Sequence, residues 1–106
     1  VSKVYITNFN SDYDYSEAEK LGETVLMSSG YIPEYKLKSL EASFAIYALQ
    51  STEEDFLLLS GSNIVTAIAA AVWAKAGKGI TFLQHGRKKN ADGVMETAYI
   101  SHNFYG

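Results

Sequence analysis

The sequence predicts an α/β fold: a small three-layer, Rossmann-like sandwich with a mostly parallel sheet in the order β-α-β-α-β-α-β-β and a C-terminal antiparallel hairpin strand. Three observations predict it. Short β-branched or apolar runs alternate with stretches of helical periodicity along the chain. One such run, Phe56-Leu57-Leu58-Leu59, is apolar without a break, as in a strand covered on both faces. The polar segment RKKNADG separates two further strand-like runs and reads as a hairpin connection.

The first element, KVYITN at residues 3–8, is a β-branched and aromatic strand that gives way to an Asn/Ser/Asp-rich loop. Ser16-Glu17-Ala18-Glu19 has capping-box spacing, which predicts a helix of two turns stopped at Gly22. Residues 24–27 form a second short strand, ended by Ser28-Ser29-Gly30, and Pro33 permits a new start. From Glu34 onward, Leu37, Leu40, Phe44, Tyr47 and Ala48 recur at helical spacing, so this helix buries one stripe. The acidic connection STEED at residues 51–55 leads to the central strand and reads as a solvated charge run. After LLSGSN comes a helix from Ile64 to Ala76 that is apolar nearly all round, ended by Gly77 with Lys75 and Lys78 complementing its negative end. ITFL at residues 80–83 is the next strand, RKKNADG the polar connection and VMETAYI at residues 94–100 the closing strand; the tail SHNFYG carries no clear element signal.

At 106 residues, 47% apolar and 20% charged, the chain suits one domain spanning 1–106 with a single core. A formal net charge of -3 gives no broad attraction for duplex nucleic acid or an anionic membrane, so neither is expected as a partner. The absence of cysteine excludes a disulfide framework and a thiolate metal site and fits a cytoplasmic setting. VSKVYITNF lacks a long apolar signal core, and residues 64–76 fall short of a bilayer span.

Three strand ends carry residues suited to binding. Ser60-Gly61-Ser62-Asn63 lets the backbone turn sharply into a helix whose free amides and positive end attract an anion, although neither GxxxxGK[ST] nor GxGxxG is present. The same small residues also serve a plain turn and cap. Asn8, Phe9 and Asn10 end the first strand, where ligands collect in open parallel sheets; the amides offer hydrogen bonds and the ring a stacking face, or they form an Asx turn over a packed Phe9. His85 and Arg87, with Lys88 and Lys89, follow ITFL and can supply positive charge at the same edge or form a solvated hairpin tip. His85 and His102 lack metal-ligand spacing, and GxSxG is absent around Ser60 and Ser62, so no catalytic residue, metal or cofactor is assigned.

The segments KVYITNFNSDYDYSEAEKLGETVLMSSGYI and DFLLLSGSNIVTAIAAAVWAKAGKGITFL resemble a group of short accessory proteins encoded by tailed bacteriophages, with a Rossmann-like α/β pattern. The resemblance covers about the first four fifths of the chain and transfers no residue role. It implies a phage product acting in the host cytoplasm, a setting in which small accessory proteins inhibit host immunity or sequester signalling nucleotides.

Together these readings favour a non-enzymatic module that binds a nucleotide-like anionic ligand through Asn8, Phe9, Asn10, Ser60, Gly61, Ser62, Asn63, His85 and Arg87. The alternatives are a protein-interaction factor inhibiting a host protein and, less favoured, a small nucleotide-cleaving hydrolase using His85 or His102. The apolar helix from Ile64 to Ala76 needs cover, which predicts a homo-oligomer, a dimer first, unless neighbouring helices of the same chain provide it.

Overall fold

A computed structural model describes residues 2–105, apart from the side chain of Thr97. The elements run β1 (Lys3–Ile6), α1 (Ser16–Glu19), β2 (Glu23–Leu26), a 3-10 turn (Glu34–Lys36), α2 (Leu37–Gln50), β3 (Phe56–Leu59), α3 (Asn63–Ala76), β4 (Ile80–Lys89) and β5 (Met95–Phe104). The fold is mixed α/β, with the five strands ordered β2-β1-β3-β4-β5 in one sheet. The sheet is mixed rather than mostly parallel. The β1–β2, β1–β3 and β3–β4 interfaces are parallel over four, three and four residue pairs, whereas β4 and β5 run antiparallel over ten.

Side-chain alternation divides the core between the two sheet faces. On one face Tyr5 and Leu57 meet α2 through Phe44 and Ala48 and α3 through Val65, Ala69 and Trp73. Trp73 is fully buried and donates its indole N–H to Ser51 Oγ at 3.0 Å, so its bulk fills the core without an orphaned donor. The other face packs Val4, Ile6, Leu58 and Leu83 against Tyr15 and Ala18 of the short α1 region, with Tyr99 of the hairpin beside them. Two long helices cover one face; a single helical turn packs on the other.

Several local expectations need correction. Ser16 does not cap a two-turn helix: Tyr15 holds the cap position without a side-chain cap bond, and α1 has four residues. The Asp14 carboxylate takes the Ser16 amide at 2.9 Å instead, which turns the chain one residue earlier. Gly22 is required by proximity, since a Cβ there would stand 2.2 Å from the Ser2 carbonyl oxygen. Arg87 to Lys89 are not loop but strand, and the tail through Phe104 is strand too. Each strand supplies the other's hydrogen-bonding partner, so ladder pairing carries both polar segments beyond the reach of their apolar cores.

The STEED segment also behaves differently from a solvated charge run. Glu53 and Glu54 are exposed, but Asp55 is only 4% exposed. Its two carboxylate oxygens accept the amides of Lys3 at 2.9 Å and Thr52 at 2.8 Å, tying the start of β1 to the start of β3.

The apolar α3 is covered on one side by the sheet and α2; Val65, Ala69, Val72 and Trp73 are buried. The outward stripe of Ile64, Ala67, Ala71 and Ala74 is exposed, and alanine makes most of it shallow. Among the described residues no helix is long and apolar enough to cross a membrane.

Candidate functional site at the carboxyl edge

The strand order places β1 between β2 and β3, so the chain leaves β1 in one direction across the sheet and returns to pair β3 on its other side. The carboxyl ends of all three strands therefore meet. A buried polar hub fastens them. Thr7, fully buried, donates its hydroxyl to the Ser60 carbonyl at 2.5 Å and accepts the Ser60 amide at 2.8 Å. Tyr15 hydroxyl is bonded to Ser60 Oγ at 2.9 Å and accepts the Asn10 amide at 3.0 Å. On the other side of β1, the Ser28 hydroxyl donates to the Thr7 carbonyl at 2.6 Å and lies 2.9 Å from Asn8 Oδ1, while Asn8 Nδ2 donates to the Gly30 carbonyl at 3.0 Å.

Gly61 is required where the segment after β3 touches the segment after β1. Its φ of 106° is in the region that favours glycine, and a Cβ there would stand 2.7 Å from Asn8 Cβ. The next residue begins α3. Ser62 is its cap, accepting the Val65 amide at 3.4 Å, and the cap position leaves the Asn63 and Ile64 amides without intrahelical acceptors.

Two clefts of about 490 Å3 each open at this edge, and both reach Tyr13 and Gly61. One is uncharged: Asn8, Phe9, Asn10, Tyr31 and Ser62 contribute to its wall. The other contains Asp12, Asp14, Ser60, His85 and Arg87. Its electrostatics are mixed, and the hydrogen bond from the Ser16 amide holds the Asp14 carboxyl below its ordinary range. His85 is exposed and lies between rings, with centroids 5.9 Å from Tyr13 and 5.6 Å from Tyr99. The Tyr99 hydroxyl is buried without a partner among the described residues, and burial raises its pKa, with the Tyr15, Asp14 and Glu17 charges acting in the same direction.

Eight of the nine expected residues thus line the two clefts, with Gly61 in both. Asn63 lines neither; it is the exposed first residue of α3, adjacent through its amide alone. Asn8 has both ends of its side-chain amide engaged by Ser28 and Gly30, and the Phe9 ring stacks on Tyr15 at 5.1 Å. Asn10 Oδ1 accepts the Asp12 amide at 2.9 Å, which shapes the loop. His102 stands apart on β5, with Nε2 3.2 Å from Gln84 Oε1.

Sequence reasoning missed Thr7, Tyr15 and the Tyr31 side of the site. A threonine interrupting the apolar run KVYITN was the available signal for Thr7. Tyr31 follows β2, whose carboxyl end enters the site only once β2 is placed beside β1.

A separate groove of about 420 Å3 runs between α2 and α3, lined by Ala42, Ala45, Leu49 and Val72 with Lys75 and Glu41 at its rim. The Lys75–Glu41 ion pair there, at 3.0 Å, is exposed.

No curated protein matches the chain. Residues 2–100 match the model of the phage Pam3 gp32-like proteins, and the chain, whose first four fifths already resemble phage accessory proteins, belongs to that family.

Proposed function

We propose that the protein is a non-enzymatic binding module for a nucleotide-like anionic ligand, held in a Rossmann-like crevice at the carboxyl edge of β1 and β3. The observation that carries this reading is the pair of clefts meeting at Gly61, directly before the start of a fourteen-residue helix. Open amides at Asn63 and Ile64, together with the positive helix end, favour phosphate. Arg87 and His85 provide further donors, while Tyr13 and Tyr31 present ring faces beside the amides. Hydrolysis is less well supported, because Ser60 Oγ is bonded to Tyr15 rather than to a histidine.

Membership of a phage family supports a role in the host cytoplasm, where retention of a host signalling nucleotide would blunt host defence. The exposed Ile64, Ala67, Ala71 and Ala74 stripe is the surface on which association into a homo-oligomer rests in this reading. Isothermal titration with mono-, di- and cyclic nucleotides is the test. Saturable heat from at least one member is expected; no heat and no thermal shift across the panel would overturn the proposal.

A second reading, inhibition of a host protein, draws support from the α2–α3 groove and from Leu49 on its wall, which is 69% exposed. Recovery of one stoichiometric host protein, lost in Leu49→Glu, together with no response to nucleotides would favour this reading over ligand retention.

A further inference from the structure

We propose that the two clefts together hold one ligand bearing two nucleobases joined through phosphate, with guanine in the charged cleft that Asp12 and Arg87 line; this rests on the nucleotide-binding reading above. The clefts are equal in volume, about 490 Å3, and adjoin, with Tyr13 and Gly61 in the walls of both. Each lies within the range of about 300–1,000 Å3 typical of small-molecule pockets. A single nucleoside would occupy one and leave the other to water. A two-base ligand fills both and places its linking phosphate over Gly61, beside the open amides of α3.

The chemistry of the two halves differs. Acidic and basic side chains face the same charged cleft, yet the ion pairs among the described residues, Lys20–Glu17 and Lys75–Glu41, lie elsewhere. Arg87 and the Asp12 carboxylate thus stand on one cleft without pairing to each other. Phosphate itself would be opposed there by Asp12 and Asp14. Guanine instead offers donors, N1–H and the exocyclic amine, to a carboxylate and acceptors, O6 and N7, to the planar arginine fork. Adenine presents an amine where guanine has O6 and leaves one arginine donor unmet. Tyr13, 53% exposed and with its ring centroid 5.9 Å from that of His85, supplies a ring face for the base. The uncharged cleft imposes no such donor and acceptor pattern; Tyr31, 89% exposed, can stack any second base there.

The test is calorimetric titration of the full chain with GMP, AMP and the linear dinucleotides pGpG, pGpA and pApA. One pGpG per chain is expected, bound about a hundredfold more tightly than GMP, as linkage of two sites provides. pApA is expected to bind about tenfold or more weakly than pGpG. Arg87→Ala and Asp12→Asn should each erase that preference while leaving the thermal midpoint unchanged, since both residues are exposed. Equal affinities for GMP and pGpG would overturn the two-base inference and leave the nucleotide-binding reading standing. Equal affinities for pApA and pGpG would overturn the guanine assignment, and silence across all five ligands would overturn both inference and reading.

Discussion

The two edges of the parallel strands are built from similar residues and reach opposite ends. At the amino edge Asp55 is buried, and each carboxylate oxygen accepts a backbone amide, from Lys3 and from Thr52. At the carboxyl edge Thr7, Ser28, Tyr15 and Ser60 form a comparable inner layer, fastening loops to strands. Outside that layer, however, Asp12, Arg87, Tyr13 and Tyr31 remain around open clefts. A polar residue at a strand end is therefore no indication of a site by itself. Hydrogen-bonding capacity left over after the backbone has been served is the better guide.

The largest effect expected comes from the amino edge. Asp55→Ala strips acceptors from two amides and should cost about 3 kcal/mol in urea unfolding, within the range for hydrogen bonds to charged groups summed over two donors. Ligand binding at the opposite edge should survive once the variant is folded. Thr7→Val keeps the volume but orphans the buried Ser60 amide and carbonyl, at a cost of about 2 kcal/mol. Here stability and nucleotide affinity should fall together, because the loop carrying Gly61 loses its anchor. Equal binding losses in the two variants would break the distinction between the edges.

Gly61→Ala sharpens the comparison within the carboxyl edge. The added methyl meets Asn8 and the backbone must hold a strained φ, for a cost of about 1–3 kcal/mol. Affinity is expected to drop more than in Gly77→Ala, a control with a similarly positive φ of 67° and no atom within 4 Å of its added Cβ.

The smallest effect concerns pH. Burial raises Tyr5 and Tyr99 above the ordinary phenol value of 10.0, with the Asp55 charge adding to Tyr5 and the Tyr15, Asp14 and Glu17 charges to Tyr99. Below pH 10 both remain protonated whether folded or unfolded, and stability is unaffected by them. Above it the unfolded chain releases protons first, so stability falls as pH rises toward the folded values. Tyr5→Phe should make that fall shallower in thermal melts from pH 9 to 11. It should cost little at pH 7, because the Tyr5 hydroxyl is buried without a partner among the described residues.

How much of this was legible depended on whether the signal was local. The β3–α3 junction could be read almost whole: Phe56 to Leu59 is the central strand expected, Ser62 is a genuine cap and Gly77 ends α3 at a left-handed φ. Those features depend on neighbours in sequence. The Ser16 box failed because Asp14 captured the Ser16 amide first, a competition between adjacent polar side chains that spacing alone does not rank. Arg87 to Lys89 joined β4 because β5 offered a ten-residue ladder, a tertiary gain that overrides local polarity. For the candidate site, the strand ends named eight residues that line the two clefts. Division into one neutral and one charged cleft was not legible, since it depends on where Tyr13 falls in a loop held by Tyr15 and His85.

Assigned amide shifts of isotopically labelled protein, followed by NMR during titration with pGpG, test the central claim most directly. Saturable shifts are expected at Gly61, Ser62, Asn63 and Ile64, with the amides of Lys3 and Thr52 unmoved. Shifts confined to the amino edge or to the α2–α3 groove, or no shifts at all, would contradict it.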